Sequence, residues 1–114
     1  MNLADKKCEP CEGETRAFTK EEALSYLQKI EDWQLTADAK SIWREYTTKN
    51  FMAAVDLINK IADVAEAENH HPDIHLTGYR KLRIDLSTHA IGGLSENDFI
   101  MAAKINGLPV ELKK

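Results

Sequence analysis

The stretch Asp73-Ile74-His75-Leu76-Thr77-Gly78-Tyr79-Arg80-Lys81-Leu82-Arg83-Ile84-Asp85-Leu86-Ser87 carries the clearest period-two pattern in the chain. Successive side chains of a strand point to opposite faces, so Ile74 and Leu76 share one face while Asp73, His75 and Thr77 share the other. Gly78 makes a turn, after which Leu82, Ile84 and Leu86 alternate with Arg83, Asp85 and Ser87. Two such strands predict a hairpin with one apolar face toward a core and one polar face toward water.

The neighbouring segments have a different period. Upstream, Asn50 is placed to cap a helix over about residues 51–69, in which Phe51, Val55, Ile58, Ala62 and Ala65 form an apolar stripe widened by Leu57, Ile61 and Val64. Pro72 disfavours helical geometry at His71, so this helix should end close to the paired histidines His70 and His71. Further upstream, Trp33 to Leu35 and Ser41 to Thr48 suggest a second hairpin with mixed burial, and Thr19 followed by Glu22 is a capping-box pattern opening a short helix over residues 20–31. Downstream, Gly92-Gly93 turns the chain and Ser95-Glu96-Asn97-Asp98 starts a last helix with Phe99, Met101, Ala102 and Ile105 on its apolar face. The order αββαββα predicts an α+β fold: a four-stranded antiparallel sheet with helices packed on one face.

At 114 residues there is room for one compact core and not for two. Residues 1–17 read as a polar, mobile or loosely docked lead-in containing Pro10 and Gly13, and residues 18–114 as the single domain. A net charge of −4 without any Lys/Arg stripe removes direct nucleic-acid binding from consideration. No apolar run approaches the roughly 20 residues of a membrane span, and the opening residues lack the apolar core of a secretory signal, so a cytoplasmic protein is expected. Cys8 and Cys11 form a CxxC pair, but no second cysteine pair accompanies it and no strand-to-helix context surrounds it; a metal or redox role is the lesser reading.

Three of the four histidines, His70, His71 and His75, fall within six residues, and His89 follows the second strong strand. Imidazole gives or takes a proton near neutral pH, so histidines gathered at the ends of a helix and a strand suit acid–base chemistry. The alternative for His70 and His71 is a polar helix C-terminus, where imidazolium favours the dipole, and spacing alone leaves the two readings even. Metal ligation is disfavoured because adjacent side chains diverge and no HExxH pattern is present. Strand parity assigns His75 to the wet sheet face, and Asp98, three residues after Ser95, is a capping partner on its bland reading.

The run Glu66-x-x-x-His70-His71-Pro72, with Tyr79, His89 and Asp98 following at fixed spacings, resembles the signature of the pterin-4a-carbinolamine dehydratases, and the similarity covers roughly residues 18–106. Ile74 stands where several members carry an aromatic residue, and the CxxC lead-in is similar to some bacterial members only. The resemblance implies cofactor-free dehydration of 4a-hydroxytetrahydrobiopterin to the quinonoid dihydropterin, in tetrahydrobiopterin recycling. It implies His70 and His89 as acids serving the two pterin faces and His71 as a substrate-binding group with some base character. Glu66, Ser87, Thr88 and Asp98 become substrate-binding or supporting residues, with Asp98 or Glu66 fixing an imidazole tautomer and raising its pKa. It also implies a homodimer or homotetramer, and leaves two rivals: a dehydratase-like protein of molybdenum cofactor metabolism, and a non-catalytic dimerisation cofactor of transcription.

Overall fold

A computed structural model describes residues 3–9 and 16–113. Its elements are a 3₁₀ turn Leu3–Asp5, α1 Lys20–Leu27, β1 Gln34–Leu35, β2 Ile42–Thr47, α2 Phe51–Glu68, β3 Asp73–Thr77, β4 Lys81–Leu86, a 3₁₀ turn His89–Ile91 and α3 Glu96–Asn106. The αββαββα order read from periodicity is therefore the observed one. The four strands form one antiparallel sheet in the order β1-β2-β4-β3.

The β3–β4 hairpin positions the rest. Asp73 pairs with Asp85 at its open end and Thr77 with Lys81 at its closed end. Gly78 and Tyr79 begin the three-residue turn with φ of 53° and 55°; the glycine adopts the left-handed region freely, whereas the tyrosine is strained by about 1–2 kcal/mol. Ile42 and Tyr46 of β2 and Leu82, Ile84 and Leu86 of β4 are buried on the helix-facing side. On the other side the Arg83 guanidinium lies over the Trp43 ring at 4.3 Å, which lets a half-buried aromatic face water.

Local chemistry sets the helix limits. Thr19 and Glu22 form the expected reciprocal capping box, and the Asn50 side chain accepts from the Ala53 N–H at 2.8 Å. α1 stops at Leu27, short of the expected residue 31, because Lys29 and Ile30 bond back only three residues, to Tyr26 and Leu27, and tighten the end. In α2 the buried line is Ala54, Leu57, Ile61 and Ala65, while Phe51 and Ala62 of the expected stripe face outward. This buried edge of the apolar arc is the one that joins the core, where α2 also packs against α3.

α3 departs most from its pattern. Phe99, Ile100, Met101, Ala102 and Ile105 are all buried, since α3 packs against α1, α2, β4 and the 3₁₀ turn Leu3–Asp5 together. Phe18, Tyr26 and Phe99 form an aromatic cluster with centroids 4.9–6.0 Å apart. The described part of the lead-in is tied down rather than loose: Leu3 is buried, Lys104 Nζ donates to the Ala4 carbonyl, and Lys6 pairs with Glu96 at 2.9 Å. Pro10, Cys11 and Gly13 lie outside the described residues. No helix among the described residues is long and apolar enough to cross a membrane.

Truncating the aromatic cluster with Phe99→Ala is expected to cost about 3–5 kcal/mol of unfolding free energy. Asn50→Ala, which removes only a cap, should cost about 1 kcal/mol. Urea denaturation of both variants checks the ranking, and equal losses would contradict the placement of Phe99 in the core.

Candidate active site

Antiparallel pairing brings the start of β3 beside the end of β4, so the segment that leaves α2 meets the segment that leaves β4. α2 ends at Asn69, which adopts the left-handed conformation at φ 52°, and the N–H groups of Asn69 and His70 both close on the Ala65 carbonyl. Asparagine tolerates that conformation better than most side chains, and the reversal carries His70 and His71 off the helix axis. After β4, Ser87 and Thr88 lead into the 3₁₀ turn at His89, which Gly92 ends at φ 66°. Thr88 and Gly93 pair through their backbones and close the loop.

His70, His71 and His89 line one cavity of about 420 Å³, together with Ser87, Thr88, Cys8 and Glu68. That volume lies within the range of small-molecule sites. Their environments differ. His70 Nε2 is 2.7 Å from Asp98 Oδ1, with the His70 side chain 12% exposed and that of Asp98 0%. A carboxylate oxygen accepts, so Nε2 carries the hydrogen and Nδ1 is the ring nitrogen left for a ligand. Asp98 Oδ2 in turn accepts from the Thr88 hydroxyl at 2.8 Å and from the Ser95 N–H at 3.0 Å, the latter being one half of a capping box on α3. Thr88 spends its only hydroxyl hydrogen on Asp98, so the 2.8 Å contact to Ser95 has the serine as donor. The capping and supporting roles of Asp98 are thus one set of bonds.

His71 Nε2 meets Glu66 Oε2 at 2.5 Å, but both side chains are mostly exposed, and such a pair is worth only about 0–1 kcal/mol. His89 is exposed at the mouth of the cavity. The Thr88 hydroxyl faces inward and is unavailable to a ligand, leaving Ser87 as the half-buried polar residue of that pair on the lining. His75 lies on the outer sheet face 3.2 Å from Asp85, as its parity indicated, and Tyr79 sits at the far, exposed tip of the hairpin. Among the described residues no three His, Cys, Asp or Glu side chains converge as a metal ion would require.

Sequence reasoning missed one wall. Cys8 and Glu9 line the cavity, held by Glu68 at the end of α2 and Asn97 in the first turn of α3. Glu68, two residues before His70, was the only available signal; a polar segment with one buried apolar residue, Leu3, offers no periodicity. Burial, with the Glu68 carboxylate second, pushes the Cys8 thiol up to about 12.

Comparison with known proteins adds an independent observation. A family model described as pterin 4 alpha carbinolamine dehydratase matches residues 16–108. An Arabidopsis thaliana protein named pterin-4-alpha-carbinolamine dehydratase 2, mitochondrial, is 47% identical over 96% of this chain, which spans 60% of that protein's length. A Halorhodospira halophila protein provisionally given the same dehydratase name is 44% identical over 95% of this chain and 98% of its own. A crystal structure titled transcriptional coactivator/pterin dehydratase, from Brucella melitensis, superposes with a TM-score of 0.74 at 30% identity, covering 80% of this chain and 96% of that one.

With its thiol raised, Cys8 holds its proton more tightly in the fold than in the unfolded chain. Its contribution to stability is therefore complete below pH about 9 and is lost as the pH rises toward about 12. In a Cys11→Ser background, iodoacetamide at pH 8 should label Cys8 at least tenfold more slowly than the denatured chain. Labelling at equal rates would contradict the burial.

Proposed function

Because the chain belongs to the pterin 4 alpha carbinolamine dehydratase family, we propose that its dehydratase reaction runs in this cavity on His70, His71 and His89, with no metal or organic cofactor. The substrate is 4a-hydroxytetrahydrobiopterin or a closely related 4a-hydroxytetrahydropterin. Elimination breaks the C4a–O bond as the hydroxyl takes up a proton and leaves as water; N5 gives up its proton and C4a=N5 forms. One group must donate and one must accept, and two imidazoles in one pocket meet that need near neutral pH.

The observation that carries this reading is the His70–Asp98 pair. With Nε2–H held by a buried carboxylate, His70 meets the ligand through Nδ1, and the imidazolium that donates from Nδ1 faces a negative charge before it gives up its proton. His70 and His89 serve as acids at the two faces of the ring, His71 binds substrate and has base character, and Glu66 orients His71. Ser87 contacts the ring, and Thr88 supports Asp98. The pathway role is regeneration of tetrahydrobiopterin in the cytoplasm. A homodimer or homotetramer is the proposed assembly, supported by the open edges of β1 and β3. A coactivator, as in the Brucella title, has no need of imidazoles, so three of them in one pocket favour the enzyme.

Stopped-flow dehydration of 4a-hydroxytetrahydrobiopterin tests the reading. The native protein should accelerate the spontaneous reaction, and His70→Ala and His89→Ala should each lower kcat by about 10²–10⁴-fold; no acceleration by the native protein would sink it. Asp98→Asn is more diagnostic. Its amide oxygen can satisfy Thr88 and Ser95, which turns its NH2 toward His70 and forces the Nδ1–H tautomer. A folded variant with kcat reduced at least a hundredfold and the tautomer reversed by ¹⁵N NMR is expected. Full activity would leave Asp98 only its cap.

A further inference from the structure

The wall formed by residues 3–9 is built from the same two helix ends that position the histidines. The Cys8 N–H donates to Glu68 Oε1 at 2.8 Å, and the Glu68 side chain is 9% exposed at the last position of α2, two residues before His70. The Glu9 N–H donates to Asn97 Oδ1 at 2.9 Å, while Asn97 Nδ2 donates back to the Glu9 carbonyl. One side-chain amide thus satisfies both backbone groups of Glu9, as a neighbouring strand would. Asn97 immediately precedes Asp98, so the residue that clamps the wall adjoins the residue that holds His70. The Cys8 sulfur adds a 3.6 Å contact to the Asn97 carbonyl.

We propose that Glu68 and Asn97 are positioning residues for substrate, acting through the segment Leu3–Glu9, which they fix as a retaining wall of the pterin pocket. The inference rests on the reading that the pterin occupies this cavity. Several features give the wall a ligand-facing purpose beyond packing. Leu3 and Lys6 already anchor the segment to α3, with Leu3 in the core and Lys6 on Glu96. Three further hydrogen bonds then order Cys8 and Glu9, the two described residues of the lead-in that line the cavity. A thiol kept neutral offers the ring a soft, weakly polar surface without a competing nucleophile. The wall touches neither the His70–Asp98 pair nor His89 by any hydrogen bond given above, so its effect falls on binding of the bound ring and not on proton transfer. Pre-ordering it lowers the entropy lost when substrate binds.

The test compares the native protein, Glu68→Ala/Asn97→Ala, Glu68→Gln and Glu9→Pro. Glu68→Gln keeps an acceptor for the Cys8 N–H, and Glu9→Pro deletes one clamp from the wall's side without altering either helix. Amide hydrogen exchange at Cys8 and Glu9 reports release of the wall; calorimetry with 7,8-dihydrobiopterin, which cannot dehydrate, gives Kd, and stopped flow gives KM and kcat. Release in the double variant should raise Kd and KM about tenfold with kcat within about twofold, Glu9→Pro should move in the same direction, and Glu68→Gln should stay near native. A released wall with native Kd and KM overturns the proposal, as does continued protection of both amides in the double variant. Where the double variant fails to fold, Glu9→Pro decides through exchange at the Cys8 amide, residue 9 then having no amide hydrogen, and through Kd and KM. A native protein that binds the dihydropterin without dehydrating the carbinolamine removes the catalytic reading while Kd still decides the wall; no binding at all removes both.

Discussion

The carboxylate of Asp98 is the interaction on which the site depends. It is fully buried, and it accepts from three directions: His70 at the end of α2, Thr88 at the end of β4, and the Ser95 N–H at the start of α3. A buried charge without partners would be strongly destabilising, so each of these elements must arrive in place for the others to be tolerated. Three chain segments separated by up to 28 residues are thereby fixed to one point. The hairpin register does the coarse work by setting the start of β3 beside the end of β4, and Asp98 does the fine work by choosing the ring nitrogen that His70 presents.

This arrangement explains why a structural and a catalytic account of Asp98 do not compete. As a capping partner it needs only one oxygen, Oδ2, and Thr88 shares that same oxygen. Oδ1 is left over, and His70 takes it. A serine–aspartate cap on α3 is therefore the means by which a rigid helix end lends a charge to an imidazole, and the rigidity comes from α3 being buried on nearly every side.

Much of the fold was legible because its determinants are local. Alternation in 73–87 fixed β3 and β4, Asn50 and Thr19 marked two helix starts, and parity alone separated His75 from the site. The end of α2 was readable from Pro72, although the agent that turns the chain is Asn69 in the left-handed region. What escaped reading depends on contacts distant in sequence. Ile100, outside the expected apolar face, is buried in an α3 that packs against the 3₁₀ turn Leu3–Asp5 nearly a hundred residues away. The inward rotation of the Thr88 hydroxyl requires knowing where Asp98 lies, and the Glu9–Asn97 clamp spans 88 residues with no periodic trace. The signature spacing brought His89 to the other histidines, which composition could not have done.

The three imidazoles are held with unequal firmness, and the inequality fits the roles proposed for them. His70 is nearly buried and locked by a carboxylate that is itself locked. His71 has a partner, Glu66, that water screens, and His89 stands on a short 3₁₀ turn at the cavity mouth. A proton donor that must strike one atom of a bound ring gains from fixed geometry, because misplacement by about 1 Å costs as much as a hundredfold in rate. A group that binds and releases substrate gains from freedom to adjust. If the firm group serves one face of the pterin and the exposed group the other, the two faces cannot be served equally well: the His70 face should be the faster, because its donor is pre-positioned while His89 must first be ordered by the ligand. Comparing the two 4a-hydroxy stereoisomers in single turnover would expose the difference, and equal rates would mean that the bound ring orders His89 as completely as Asp98 orders His70.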